Sequence, residues 1–241
     1  MTSNGGLASR DLAERRVVAE LMDSPTLGRD RHLPALDALE RVNRVSLATR
    51  RVWKEVARLA RGATGPVRVL DVACGGGDVL VAVAKRAAAS GIAVECHGCD
   101  LSPVALERAE RRGGRELGIA LTRLDVSRES LPVGYDIVCS NLFLHHLDRA
   151  AAARLLRSMA DASTEMVLVQ DLLRTRLGYL MAWMGLHTLT RSEVARRDGL
   201  VSVAAAFTLE EAGRLCDEAG LRGATVRPCW PQRFLLRWER P

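Results

Sequence analysis

Residues 67–78, Val-Arg-Val-Leu-Asp-Val-Ala-Cys-Gly-Gly-Gly-Asp, carry the densest chemical information in this 241-residue chain. A strand-like run from Val67 to Leu70 meets Asp71, a glycine-rich turn follows, and the alanine- and valine-rich residues 79–89 have helical character. In an open α/β sheet, ligands sit in the crevice beyond the carboxyl end of such a strand. Gly75 and Gly77 lack a Cβ, so the chain can turn sharply and a ligand can lie almost against the backbone. The spacing Asp71-x-x-x-Gly75-x-Gly77 is not a phosphate cradle. No Gly-Lys-Ser/Thr follows, and Leu80 stands where the third glycine of a dinucleotide fingerprint would fall. The turn therefore suits an adenosyl ligand without a pyrophosphate.

The groups that could move a proton lie further on. His145 and His146 follow Asn141-Leu-Phe-Leu, and an imidazole with an ordinary pKa of about 6.5 can act as a base near neutral pH. Asp171 and Arg174 form a second candidate pair. A carboxylate can accept a phenolic proton, and a guanidinium can hold a carboxylate or phenolate. His187 reads as structural. Cys96-His97-Gly98-Cys99 has half of a zinc or redox spacing, but no second C-x-x-C or H-x-x-x-H completes it. A strand would also turn those two thiols to opposite faces. The six cysteines therefore read as buried thiols in a reducing compartment, and no metal site is expected.

Positioning these residues calls for alternating strands and helices. Strands are expected at about 67–72, 93–99, 119–124, 135–140 and 165–170. Helices are expected at about 77–89, 103–116 and 148–160, the second with Ser102-Pro103 as N-cap and first-turn proline. Such alternation implies a mostly parallel sheet covered on both faces. Residues 171–207 read as a helical insertion after the fifth strand, and the stretch beginning at Leu177 is apolar around most of its circumference, which calls for burial. Thr208-Leu-Glu-Glu211 is a capping box for a helix ending at Gly220. Two closing strands, at about 224–229 and 232–238, flank Trp230-Pro231, and so short a connection requires antiparallel pairing. Upstream, a helical pattern covers 11–61, with one apolar group at Leu12, Val17, Val18 and Leu21 and another at Leu36, Leu39, Val42, Val45 and Leu47. Pro25 and Pro34 separate the two groups, and residues 1–10 are expected to be disordered. The chain thus divides into an N-terminal helical extension or lid, 1–61, and an α/β domain, 62–241. The expected fold is a Rossmann-like, seven-stranded, mostly parallel sheet with an antiparallel last strand and helices on both faces.

With these motifs in this order, the chain resembles the class I S-adenosylmethionine-dependent methyltransferases. The resemblance implies S-adenosyl-L-methionine as cofactor and S-adenosyl-L-homocysteine as product. Carried over position by position, it implies a cofactor-binding set of Asp71, Ala73, Cys74, Gly75 and Gly77 in the first turn. Asp100 and Leu101, in Cys99-Asp100-Leu101, would meet the ribose, and Asp125 and Val126, in Leu124-Asp125-Val126, the adenine. Tyr135-Asp136-Ile-Val-Cys-Ser-Asn141 would deliver Asn141 to the carboxyl edge, with Asp136 structural.

A looser likeness runs through Glu20-Leu-Met-Asp-Ser-Pro25, Arg41-Val-Asn-Arg44, Arg197-Asp-Gly-Leu-Val-Ser202-Val and Trp230-Pro-Gln-Arg233. These segments resemble bacterial methyltransferases associated with phenolic and polyketide products. The chain departs from that pattern at Ala204-Ala205, where the resemblance would place an arginine. It implies methyl transfer to a small-molecule acceptor, with O-methylation of an aromatic or polyketide-like compound the leading expectation. Tyr179, Met181, Trp183 and Met184 would then form a wall for a flat or greasy acceptor. The alternatives are C-methylation of a quinone-like ring, nucleic-acid methylation, and a non-catalytic protein that binds the cofactor. Base-amino enzymes resembling this fold place Asn/Asp-Pro-Pro-aromatic after the fourth strand, whereas Ser140-Asn-Leu-Phe143 has no proline.

Composition narrows the partners. The net charge of +6 is carried almost wholly by arginine, with Lys54 and Lys85 the only lysines, and the cations are mixed with acids along the chain. A dispersed charge of this kind does not mark a nucleic-acid face. No signal peptide is read in residues 1–10, and the uncharged apolar run 177–190 is shorter than the about 20 residues a membrane span needs. The expectation is a cytoplasmic protein, monomer or homodimer, without stable membrane insertion.

Overall fold

The structure is a computed structural model that describes residues 12–24 and 26–241. Two helices, α1 (Arg29–Val45) and α2 (Ala48–Ala60), precede the alternating region. That region runs β1 (Val67–Val72), α3 (Asp78–Ala89), β2 (Val94–Asp100), α4 (Pro103–Ala109), β3 (Ala120–Arg123), β4 (Tyr135–Asn141), α5 (Arg149–Ala162) and β5 (Ser163–Leu172). The chain finishes with α6 (Arg176–Leu189), α7 (Glu193–Ala205), α8 (Leu209–Glu218), β6 (Thr225–Cys229) and β7 (Arg233–Glu239).

One seven-stranded sheet has the order β3-β2-β1-β4-β5-β7-β6. β1 through β5 pair parallel, and β7 lies antiparallel between β5 and β6. Strand order reverses beside β1, which opens a crevice at the carboxyl ends of β1 and β4. The central strands read as continuous apolar runs because both of their faces are covered. Leu70, Val138 and Val167 point into one core layer with Met159, Leu215 and Phe234. Their chain neighbours Val69, Ile137 and Leu168 point into the other, with Leu80, Val83 and Val56. Each such fully buried side chain contributes about 1.5–3 kcal/mol of transfer free energy. Cys96 and Cys99 fall in opposite layers, as strand alternation requires.

The helix ends follow local chemistry. Ser102 accepts from the Ala105 N–H to open α4, and Thr208 with Glu211 closes a reciprocal capping box on α8. Gly77 caps α3 at φ +69°, and a Cβ there would lie 2.7 Å from that of Ala109, so only glycine fits.

Several expectations are corrected. Residues 12–20 are not helical: they run along the surface with Val17 and Val18 exposed, and reach a single 3-10 turn at Leu21–Asp23. Pro34 does not separate two helices but lies inside α1, where its missing N–H removes one bond without ending the helix. Pro25 and the expected disorder of 1–10 lie outside the described residues. The helix expected over 103–116 stops at Ala109 and passes into a wide π turn, Glu110–Gly114, with Gly113 at φ +116°. The insertion is two helices, α6 and α7, packed on each other. α6 is not buried all round, because Leu177, Leu180, Trp183 and Met184 face solvent. No helix among the described residues is long and apolar enough to cross a membrane.

Candidate active site

The turn after β1 places Ala73, Gly75 and Gly77 in left-handed backbone conformations. For Ala73 this is strained, and such strain is held in place only where surrounding structure fixes it. Cys74 N donates to Cys99 O at 3.0 Å, tying the turn to β2. Asp100, at the end of β2, accepts from Gly75 N (2.7 Å) on one oxygen and from Ser102 N (2.8 Å) on the other. Burial raises the pKa of Asp100, and these two N–H groups pull it back. Each carboxylate oxygen keeps a free lone pair for a ligand hydroxyl. A Cβ on Gly75 would meet nothing within 4 Å, so the turn faces open space.

Asp125 follows β3 and accepts from Ser127 N (3.1 Å) and Ser127 Oγ (2.5 Å), which lowers its pKa. Leu101 and Val126 lie beside these acids on the cavity wall. Asn141 ends β4, its Oδ1 accepting from Gln170 Nε2 (2.8 Å), while its buried Nδ2 has no hydrogen-bond partner. Asp71 is placed differently from the other members of the cofactor set. It lies beneath the turn, 2% exposed, and does not line the cavity. Burial first, and then Asp78, push its pKa up to about 7.

These loops open on a cavity of about 1000 Å³. Its far wall is apolar, with Leu36, Leu39 and Val42 from α1 and Met181, Ala182 and Leu186 from α6. Of the four residues expected to form that wall, Met181 does so; Tyr179 is not on it, and Trp183 and Met184 sit on the solvent face. The cavity also reaches Arg233, a fully buried guanidinium. Its Nη1 donates to Asn43 Oδ1 (3.1 Å), its Nη2 has no partner, and burial lowers its pKa to about 10. Asn43 in turn donates to Asp78 Oδ2 (3.0 Å), just after the glycine turn.

A polar cluster forms the remaining wall. His145 and His146 sit on a 3-10 turn, Leu144–His146, past the end of β4. The fully buried Asp171 at the end of β5 holds His145 twice, through Nδ1 (2.6 Å) and through the backbone N–H (3.0 Å). His145 Nε2 lies 3.5 Å from Glu20 Oε1. Burial favours neutral His145, but Asp171 and Glu20 outweigh it and lift the pKa to about 10. These two carboxylates thus favour the protonated ring, a shift opposite to the one burial alone would give. His146 donates from Nδ1 to Asp23 Oδ2 (2.8 Å), which turns its Nε2 towards Glu20. Asp171 does not line the cavity, so it positions His145 and does not touch a substrate.

Arg174 is corrected more sharply. Its guanidinium is buried in a two-pronged pair with Glu211 (2.8 Å for each nitrogen) and also donates to Ala206 O and Leu12 O. It does not reach the cavity, and these bonds use four of its five N–H donors.

Sequence reasoning gave no role to Glu20, Asp23, Asp78 or Asp198. Asp198 accepts from Leu21 N (3.0 Å) and Met22 N (2.9 Å), fastening the segment that carries Glu20 and Asp23. Arg15 pins the same segment by donating to Ala205 O, His145 O and Leu147 O. The four loosely similar segments thus meet in pairs around the cavity: the one at 20–25 with that at 197–203, and the one at 41–44 with that at 230–233. The looser likeness of those segments was the available signal, and it did not reveal which of them pair.

The sheet order, with one antiparallel strand set between β5 and β6 and ligand loops at the carboxyl ends of β1 to β4, defines a Rossmann-like methyltransferase fold. Residues 69–165 match the family model described as "Methyltransferase domain". That match runs from β1 into β5, the part of the chain that carries the glycine turn, Asp100, Asp125 and Asn141. A 2-phytyl-1,4-naphtoquinone methyltransferase of Trichormus variabilis is 36% identical over 83 residues, 34% of this chain and 34% of that protein. A demethylmenaquinone methyltransferase of Deinococcus radiodurans is 36% identical over 100 residues, 41% of this chain and 39% of that protein. The match thus spans about a third of the length of these curated relatives. Among solved structures, a putative O-methyltransferase of Nostoc punctiforme is similar in fold at a TM-score of 0.63 and 21% identity, covering 95% of this chain and 65% of that one. The plantazolicin methyltransferase BpumL, in complex with a desmethylPZN analog and SAH, gives 0.61 and 16%, covering 85% and 90%.

Proposed function

We propose that the protein transfers a methyl group from S-adenosylmethionine to a small lipophilic acceptor, at an oxygen of an aromatic or polyketide-like compound. The observation that carries this reading is a single cavity that joins three surfaces: the glycine turn with Asp100, the apolar wall, and the Glu20–His145–His146 cluster. The residues present fit the cofactor. Arg233, on the cavity wall, has a buried Nη2 donor without a partner among the described residues. Arg233 suits the amino-acid carboxylate, Asp100 the vicinal ribose hydroxyls, and the Asp125–Val126 loop the adenine. When bound, the sulfonium supplies an electrophilic methyl group.

Transfer from a sulfonium is an in-line displacement, so the protein must mainly align donor and acceptor and keep water out. The apolar wall does the second, and its greasy lining selects a flat or lipophilic acceptor. A hydroxyl acceptor facing the cluster meets protonated His145 as a hydrogen-bond donor, with Glu20 and His146 Nε2 as the atoms able to take its proton. The quinone-type relatives favour a second reading, methylation of a ring carbon, which needs the same cavity.

Calorimetry with S-adenosylmethionine is the first test: Asp100→Ala abolishes detectable binding, and unchanged affinity would sink the cofactor assignment. Labelled methyl transfer to a panel of phenols, quinols and total RNA, with the product's methyl carbon located by NMR, then separates oxygen from carbon acceptors. Preferential labelling of RNA would overturn the small-molecule reading.

A further inference from the structure

We propose that Glu20, His145 and His146 form a binding site for one divalent transition metal ion of the Zn²⁺ or Co²⁺ type, opening into the acceptor cavity. The three ligand atoms come from two distant stretches of chain. His145 Nε2 and His146 Nε2 lie 3.5 and 3.9 Å from Glu20 Oε1, and all three atoms fall within 4.8 Å of one another. Tetrahedral Zn²⁺ with bonds of about 2.0–2.1 Å separates its ligands by about 3.4 Å. The two carboxylate–imidazole separations lie within about half an ångström of that value, and the third pair, within 4.8 Å, must close by up to about 1.4 Å to seat an ion.

The surroundings match what a metal site needs beyond its ligands. Each imidazole gives its Nδ1 proton to a separate carboxylate, His145 to Asp171 at 2.6 Å and His146 to Asp23 at 2.8 Å. This carboxylate–histidine pairing holds the Nδ1 protons and aims each Nε2 at the site, as in metal sites whose histidines are oriented by outer carboxylates, and a bound ion would displace the second proton that Asp171 and Glu20 favour on His145. Ser202 Oγ bonds the same Glu20 oxygen, and Asp198 fastens the Glu20 segment through two backbone N–H groups, so the third ligand is held as firmly as the first two. Two imidazoles and one carboxylate suit Zn²⁺ or Co²⁺, whereas Mg²⁺ and Ca²⁺ prefer all-oxygen sets. All three residues line the cavity, so the fourth position faces the space in which an acceptor would lie. Three protein ligands with one open position is the pattern of a reactive site. A Lewis acid there would polarise an acceptor oxygen. That role rests on the methyl-transfer reading; the binding of the ion does not.

The test is metal uptake without cofactor or acceptor. The full chain is stripped with a chelator, dialysed and titrated with Co²⁺, following its visible ligand-field bands, and with Zn²⁺ by calorimetry. One ion should bind per chain with the intense bands of four-coordinate Co²⁺. His146→Ala and Glu20→Gln should weaken binding at least about 100-fold, and Asp23→Asn, which spares every ligand, about 10- to 100-fold. Circular dichroism checks that each variant is folded, and Asp23→Asn keeps the test alive should a ligand variant fail to fold. Absence of stoichiometric uptake, thiolate charge-transfer bands that place the ion on a cysteine, or equal affinity in Glu20→Gln and His146→Ala would each overturn the proposal. Failure here leaves the Asp100→Ala cofactor result standing, and Co²⁺ uptake in Asp100→Ala is unaffected by failure there.

Discussion

Among single residues, Arg233 departs furthest from what burial alone would allow. A guanidinium with no carboxylate partner inside a folded chain is costly, and one of its nitrogens lacks any partner. Such a residue persists where a ligand supplies the missing anion. Arg233→Met keeps the volume and removes the charge. Thermal unfolding should show equal or higher stability, because a buried unpaired charge is gone. S-adenosylmethionine affinity should fall about 10- to 100-fold, the loss of about 1.5–3 kcal/mol expected for a hydrogen bond to a charged group. Lower stability with unchanged affinity would make Arg233 a packing residue. Asp71 and Asp100 show how the same residue type diverges with position. Both are carboxyls at strand ends, but Asp100 is half-buried and faces the cavity with two backbone N–H groups to steady it. Asp71 faces the core and is raised towards neutrality.

Among the elements, the segment leading into the 3-10 turn at Leu21–Asp23 depends on tertiary contacts, since its own apolar contribution is limited to Leu21 and Met22, partly buried against Ala35, Ala38, Val194 and Ala195. Asp198 attaches it through the Leu21 and Met22 N–H groups. Asp198→Ala removes two charge-assisted bonds at a cost of about 2–3 kcal/mol, confined largely to this segment. Limited trypsinolysis should then cut at Arg15 and Arg16 well before the rest of the chain, with methyl transfer lost and S-adenosylmethionine affinity kept. Cleavage as slow as in the parent protein would show that other contacts hold the segment. α6 divides its two faces between tasks: Met181, Ala182 and Leu186 line the cavity, while Leu180 and Trp183 meet solvent.

Across the whole molecule, α1 is held over the crevice by charge as well as by packing. Glu40 accepts from Arg44 (2.9 Å), from Arg108 of α4 (3.0 Å) and from Arg112 just beyond it. The Arg112 bond is the largest influence, and together the three arginines hold the Glu40 carboxyl down at about 2. A carboxyl depressed on folding stabilises the fold above its unfolded pKa of about 4.5, and this contribution is lost as pH falls towards 2. Hydrogen exchange in α1 should therefore rise between pH 4.5 and 2, and 1 M salt should weaken the attachment at neutral pH. Glu40→Gln should show the higher exchange already at pH 7 and little further change on acidification. A flat pH response in the parent protein would assign α1's attachment to apolar packing.

The parts of this protein legible in its sequence are those whose cause is local. Periodicity, capping residues and the Asp71–Gly75–Gly77 spacing sufficed for the alternating elements, the α8 capping box and the turn against which Asp100 closes. The break at Gly113-Gly114 was missed because a two-residue disruption is weak against a helical pattern around it. Arg174 looked functional because a strand-end arginine beside Asp171 has the right chemistry, but Glu211, 37 residues on, takes both of its nitrogens. His145 looked like a neutral base because nothing near it in the chain reveals Asp171 and Glu20. Glu20, Asp23 and Asp198 carry no local signal at all, since their roles arise only when distant segments meet, Leu21 and Asp198 being 177 positions apart. The sequence by itself determined the sheet, the adenosyl-type turn and the acids beside it, because each depends on neighbours a few residues away. Only the tertiary structure decided which groups face the cavity and which charges surround them, because burial and partner charges are set by chain segments that meet solely in the fold.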